Sequence, residues 1–350
     1  VMAESTPFPA SHPFLEDLFT RAVAAPGRII LPEGEDPRVC RAACTAAAEG
    51  LAHPILLGNP ESIRNILPDR DIPVTIRDPA TCSRIADYTS RYADIRHAEG
   101  LSRQDAEQAV LAPPGYAAMA VRCGDADGML GGAVHTTAEI LRAALKIIGP
   151  ARGVRTVSSF FLMLDTIQPA RLDVPSLFAD CALIIDPDSD ELAAIAQAAT
   201  GSARTFLATD PIVAFLSFST AGSGRHPRVE TVRLAAERLR RDNPHLAVLG
   251  DIQFDAAIDR DIGQRKNPQA TFPGRPNVFI FPNLDAGNIG YKIAERVGKM
   301  MAIGPILQGL AHPANDLSRG CSESDILAMI AITSLQAAHP QPAARPDTTP

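Results

Sequence analysis

What this 350-residue sequence lacks narrows the field before any motif is read. No GxGxxG follows a predicted strand, and there is no GxxxxGKS/T, HExxH or GxSxG. Nicotinamide, nucleotide, zinc-protease and serine-hydrolase chemistries therefore lack their usual supports. The apolar runs fall far short of the roughly 20 residues that cross a bilayer, and no cationic, apolar leader opens the sequence. Six cysteines (Cys40, Cys44, Cys82, Cys123, Cys181, Cys321) are scattered without a CxxC pair. That spacing suits free thiols in a reducing cytosol better than disulfides or a zinc site. An excess of positive charge is missing too: the formal charge is −7, which argues against a general grip on nucleic acid. A few local arginines can still hold a small anion. The expectation is a cytoplasmic protein with neither membrane nor nucleic-acid partners.

What is present reads as alternating strands and helices, an α/β protein long enough for two domains. GRIILPEGED (Gly27–Asp36) begins as a buried strand closed by Pro and Gly. A helix over Pro37–Glu49 and a strand at His53–Pro60 complete a βαβ unit with a parallel sheet. A short strand at Val74–Arg77 and helices at Cys82–Tyr92 and Ser102–Val110 follow. Gly115–Pro150 is expected to hold two helices joined by a Gly/Asp-rich loop, the second opened by a T-x-x-E capping box at Thr136. New strands are expected at Thr156–Met163, Cys181–Asp186, Val213–Phe218, Leu246–Gly250 and Val278–Phe281, alternating with helices. A last helix near Ser324–Ala338, with Ile326, Met329, Ile330 and Leu335 on one face, should pack on the first domain. The boundaries read this way are 1–149 with 300–340 for a discontinuous first domain, 150–299 for an inserted second, and 341–350 for a loose, Pro-rich tail.

The chemistry concentrates in Gly304–Ile326, expected as a loop leading into that last helix. It brings Ser318, Arg319 and two carboxylates, Asp316 and Asp325, within ten residues, and loops of this kind carry function. Arg319 precedes a helix N-terminus, where anions are favoured. Asp325 has two readings: a base, or the fourth residue of an S-x-x-D capping box begun by Ser322. Arg96 and Arg142 sit on or beside helices, where a guanidinium can grip phosphate with two parallel N–H bonds. Ser217–Gly224 is either an anion or amide cradle after a strand or an ordinary βα turn. Asp125 and Asp127 are hard-cation ligands or turn formers, and the Asp251/Asp255 pair is a divalent-metal candidate with nothing around it to complete a site.

GRIILPEGEDPRVCRAA, GDADGMLGGAVHTTAEILRAALKIIG, LSFSTAGSG, FPNLDAGNIGYKI, GPILQGL and NDLSRGCSESDI together resemble the phosphate acetyltransferase (phosphotransacetylase) family, in that family's order and over about residues 27–338. The chain is similar to the short form, without an N-terminal regulatory domain. The resemblance implies two three-layer α/β/α domains of the isocitrate/isopropylmalate dehydrogenase-like kind, with the active site in the interdomain cleft, and a homodimer. It implies the reaction acetyl phosphate + CoA ⇌ acetyl-CoA + phosphate, with CoA as a substrate and no cofactor or metal required. By the same resemblance Ser318, Arg319 and Asp325 are catalytic, and Arg96, Arg142, Thr137, Ser219 and Asn288 bind substrate. Asp325 would take the CoA thiol proton, the arginines would hold the leaving phosphate, and Cys321 and Cys123 leave a covalent route formally open. Gly131 departs from the family, which often has Ser there, as Asp251 departs from Glu and Asn283 from Asp. A phosphate butyryltransferase and a non-catalytic acetyl-CoA-sensing module are the alternatives.

Overall fold

The computed structural model describes residues 12–68, 71–165, 175–268 and 273–339; the expected tail at 341–350 lies outside them. Helix α1 (Pro13–Ala24) leads into β1 (Gly27–Leu31), α2 (Pro37–Ala48), β2 (Ala52–Leu57), α3 (Pro60–Ile66) and β3 (Thr75–Arg77). Next come α4 (Ile85–Ile95), α5 (Arg103–Leu111), α6 (Pro113–Arg122), β4 (Gly128–Gly131) and α7 (Thr137–Ala143). The middle of the chain forms β5 (Ser158–Leu164), β6 (Ser176–Ala179), α8 (Ser189–Phe206), β7 (Ile212–Leu216), α9 (Pro227–Asp242) and β8 (Ala247–Ile252). Short α10 (Phe254–Ile258) and α11 (Arg260–Lys266) precede β9 (Val278–Ile280), α12 (Leu284–Arg296) and β10 (Met301–Gln308). β11 (Ala314–Asp316) and α13 (Glu323–Ala338) follow. The described residues up to Arg152 and from Leu310 onward make one compact unit, and Gly153–Gly309 makes another.

In the first unit the sheet runs β11-β4-β1-β2-β3 with every pairing parallel. The β1–α2 step shows how local sequence sets this up. Ile29, Ile30 and Leu31 are fully covered, as strands with helices on both faces require. Asp36 then caps α2 by accepting the Arg38 N–H, and Pro37 occupies the first helical position, where its missing N–H is harmless. Helix α13 packs against α1, α2 and β1. Its residues Ile326–Leu335 are all buried, so it is apolar on every side and not on one face only, as a core helix should be. Two polar ties fix its height. The Gly27 N–H donates to Ser334 Oγ at 2.7 Å, and the buried Asn315 amide donates to Thr333 Oγ1 at 2.9 Å and Gln336 Oε1 at 2.7 Å.

The second unit has a mixed sheet, β10-β5-β6-β9-β7-β8. Strand β5 is antiparallel to both β10 and β6, and the remaining pairs are parallel. The strand expected at Cys181–Asp186 lies upstream instead, at Ser176–Ala179. Buried Asp180 is the reason: its carboxylate accepts the N–H groups of Ala182, Leu183 and Ile184 and turns the following apolar run away from the ladder. Residues 301–308, expected as the return to the first domain, pair as β10 with β5, for example Ala302 opposite Met163. The Gly/Asp-rich loop between α6 and α7 contains β4, and the long loop before α13 contains β11. Both strands are short, and β4 begins and ends in glycine. The glycines are sterically required: a Cβ on Gly128 would stand 2.8 Å from Thr333 Cγ2, and one on Gly131 would stand 2.6 Å from Pro32 Cγ and 2.8 Å from Ile140 Cδ1.

Replacing Asn315 by Ala strips two acceptors of their donor and leaves a void between β11 and α13. Chemical denaturation should show a loss of about 2–3 kcal/mol. A loss under about 0.5 kcal/mol would mean that the amide does not hold α13 against the sheet.

Candidate active site

Parallel strands deliver their following loops to one edge of the sheet, and in open α/β sheets ligands bind there. At that edge the loops after β1, β4 and β11 meet. The loop after β4, Gly132–His135, is wrapped around the Glu33 carboxylate, which is 6% exposed. Glu33 accepts the main-chain N–H of Gly132 at 3.0 Å, Ala133 at 2.8 Å, Val134 at 2.9 Å and His135 at 2.7 Å, with the His135 ring nitrogen Nδ1 at 3.0 Å. Burial alone would push this carboxyl up, but the His135 ring and these amides outweigh it and hold Glu33 below its ordinary range. In return, the Glu33 charge raises His135.

Arg38 performs the complementary task. Its guanidinium is oriented by Asp36 at 2.9 Å and donates to the carbonyls of Ala133 at 3.0 Å, Arg319 at 2.9 Å and Cys321 at 2.9 Å. It thereby ties the loop after β4 to the loop after β11. Gly132 makes their approach possible: at φ +114° a Cβ there would fall 2.4 Å from Asp316 Oδ1, so only glycine fits.

On this frame the Ser318–Arg319–Gly320 turn is exposed. The Gly320 N–H donates to Ser318 Oγ at 3.3 Å. The Arg319 guanidinium has no ion pair among the described residues, and neither does that of exposed Arg142 on α7. Arg96, at the end of α4, is paired with Glu99. Thr137 opens α7, and Asp316 is buried at the end of β11. Asp325 completes the capping box of α13: one oxygen accepts the Ser322 N–H at 2.8 Å and the Ser322 hydroxyl at 2.8 Å. Asp325 is exposed, and its second oxygen is left free by the box. The cap and a proton-accepting role are therefore compatible.

All of these groups belong to the first unit. In the second, Ser219 is fully buried, donates to Asp251 at 3.0 Å and accepts the Gly224 N–H at 3.0 Å. Asp251 also accepts the Gly222 N–H at 2.9 Å. Several amides of Ser217–Gly224 are thus committed inside their own turn. Asn288 on α12 donates to the Cys181 carbonyl at 3.1 Å. The metal candidates are likewise engaged elsewhere: Asp255 pairs with Lys266, Asp125 with Arg84 and Tyr88, and Asp127 with Arg28. Among the described residues no cluster of three or more His, Cys, Asp or Glu has the arrangement of a metal site. Burial pushes the Cys321 thiol up to about 11 and raises Cys123 as well, the reverse of what a nucleophilic cysteine needs.

Sequence reasoning passed over Glu33 and Arg38 and gave Asp316 no role. The available signal was positional: PEGEDPR begins where β1 ends, and Asp316 is the last residue of β11. Charged residues at such strand ends face the loops that bind ligands.

Comparison with known proteins gives the family. Residues 13–334 match the family model described as phosphate acetyl/butaryl transferase. A phosphate acetyltransferase of Paracoccus denitrificans is 50% identical over 323 residues, covering 92% of this chain and 98% of the relative. The phosphate acetyltransferase of Thermoanaerobacterium thermosaccharolyticum is 41% identical, covering 92% and 99%. The crystal structure of a Streptococcus pyogenes phosphotransacetylase superposes with a TM-score of 0.87 at 40% identity, covering 93% and 98%. At 12% identity and a TM-score of 0.50, the 4-hydroxythreonine-4-phosphate dehydrogenase of Klebsiella pneumoniae shares the fold alone. With the model match spanning nearly all of the chain and relatives this close, the chain belongs to the phosphate acetyl/butaryl transferase family.

Proposed function

We propose that this protein transfers an acetyl group reversibly between acetyl phosphate and CoA, by direct attack of the CoA thiolate. The observation that carries the reading is the exposed Arg319 guanidinium, without an ion pair among the described residues and held by its own carbonyl on Arg38. A cation kept unpaired on a fixed loop before a helix N-terminus is suited to an anionic group that arrives and departs.

A free thiol with a pKa of about 8.5 is mostly protonated at pH 7, and the thiolate is the nucleophile. The free oxygen of Asp325 accepts the thiol proton as general base. The thiolate forms the C–S bond to the acetyl carbon, and charge collects first on the carbonyl oxygen. Cleavage of the C–O bond then sends that charge out with phosphate. Arg319 and Arg142 neutralise it, with Arg96 available if it releases Glu99, while Ser318 hydrogen-bonds the intermediate. Thr137 stands at the first turn of the helix that carries Arg142. No acyl-enzyme is needed, which suits the raised thiols of Cys321 and Cys123. Relatives 40–50% identical are named for acetyl transfer, which favours it over butyryl transfer. The pairing of free arginines with an accessible carboxylate favours catalysis over a sensing role. A homodimer accompanies this reading.

Purified protein should form a thioester from acetyl phosphate and CoA, read by its ultraviolet absorbance. Arg319→Ala should lower turnover by about 10²–10³, the usual loss when one charge-stabilising donor is removed, with an unchanged melting temperature. Wild-type turnover in that variant would remove Arg319 from the mechanism. Asp325→Asn keeps an acceptor for the Ser322 cap but cannot take a proton, so turnover should fall by about 10² or more. If the variant instead melts several degrees lower at full turnover, Asp325 is a cap alone.

A further inference from the structure

His135 closes the loop after β4, directly before the Thr136 cap of α7. Its main-chain N–H and its ring Nδ1 both lie on Glu33 Oε1, at 2.7 and 3.0 Å. An ionised carboxylate only accepts hydrogen bonds, at about four lone-pair positions. The main-chain N–H groups of Gly132, Ala133, Val134 and His135 already supply four donors. The ring is a fifth, so this contact adds little to Glu33 and instead fixes the imidazole. Facing a group that only accepts, Nδ1 carries the proton. Nε2 has no hydrogen-bond partner among the described residues. The ring is not sealed in: the His135 side chain is 23% exposed, while that of Glu33 is buried.

Two ties hold this loop beside the turn that carries Arg319. The Leu317 N–H donates to the Gly131 carbonyl at 2.7 Å. One guanidinium, that of Arg38, takes both the Arg319 carbonyl and the Ala133 carbonyl, two residues before His135. We propose that His135 is a further substrate-binding residue: held through Nδ1 by Glu33, it donates from Nε2 to the phosphoryl oxygens that Arg319 neutralises. With Nδ1 protonated, Nε2 donates only in the imidazolium form, and the bond is then charge-assisted. The Glu33 hydrogen bond favours that form and holds His135 above its ordinary value, with burial opposing it and the Glu33 and Glu139 charges adding to it. A buried carboxylate behind an imidazole orients the ring and steadies its charge in serine-protease triads by the same physics.

The inference deepens the acyl-transfer reading and rests on it, and its test separates the two. Kinetics are measured at pH 6.5, below the raised value of the ring, with inorganic phosphate as a competitor of acetyl phosphate and with melting temperature recorded alongside. In His135→Asn the side-chain amide stands in for Nδ1–H and keeps the Glu33 bond, while nothing replaces Nε2. Its melting temperature should be unchanged. Its KM for acetyl phosphate and the inhibition constant of phosphate should each rise about tenfold, the effect of roughly 1.4 kcal/mol, with KM for CoA as in wild type. In His135→Gln the amide reaches the position of Nε2 and leaves Glu33 without its ring donor, so the protein should melt lower while KM for acetyl phosphate recovers toward wild type. Wild-type values of both constants in His135→Asn overturn the assignment. A parallel loss for acetyl phosphate and CoA also overturns it, since the ring would then be a brace for the loop alone. Should His135→Asn not fold, the wild-type ring is read directly: the nitrogen NMR signal of His135 Nε2 should move on titration with inorganic phosphate, and a signal that stays in place overturns the assignment. A wild-type protein that makes no thioester overturns acyl transfer itself, and the phosphate titration of the ring still decides whether Nε2 binds the anion.

Discussion

Glu33 and Arg38 divide the main-chain polarity of the site's loops between them. The carboxylate gathers N–H groups from four successive residues, and the guanidinium gathers carbonyls from two loops. Each solves the other's problem. An irregular loop packed against a sheet edge carries polar groups that secondary structure cannot satisfy, and a buried charge needs several hydrogen bonds to be tolerated. Lysine could not replace Arg38, because a single ammonium lacks the flat fork that reaches three carbonyls and a carboxylate at once. With the backbone held this way, Ser318 and Arg319 can be exposed and still keep a fixed geometry.

The same economy appears at the start of α13. A helix N-terminus needs acceptors, and Ser322 with Asp325 supplies them reciprocally. The box uses one carboxylate oxygen, so capping orients the other instead of consuming the group. Stability and chemistry draw on one side chain without conflict.

The helices and the long apolar strands were legible because their patterns are local. Thr136, Ser102 and Ser322 mark helix starts by chemistry that acts within three residues. GRIIL and the Ile/Val/Ala-rich strands announce burial by composition alone. Strands β4 and β11 were not legible, since GMLG and AND carry almost no propensity of their own and become strands through pairing with β1 and with each other. The Cys181–Asp186 run misled for the opposite reason: it is apolar enough for a strand, but Asp180 captures its amides. Arg319, Ser318 and Asp325 could be picked out as a dense polar cluster between glycines. The residues that hold them could not, because Arg38 meets the Arg319 carbonyl across 281 positions of chain and no local pattern encodes such a distance.

The hydrogen bond from Gly27 to Ser334 spans 307 positions. During synthesis, β1 and its neighbours leave the ribosome long before β11 and α13 exist, and their apolar faces have no lid until then. The segment between, Gly153–Gly309, makes its own compact unit and can collapse early, so that it shortens the effective loop that the last helix must close. The nascent first sheet therefore depends on a late-arriving partner. For that interval its uncovered strands are the part of the molecule most in need of a chaperone.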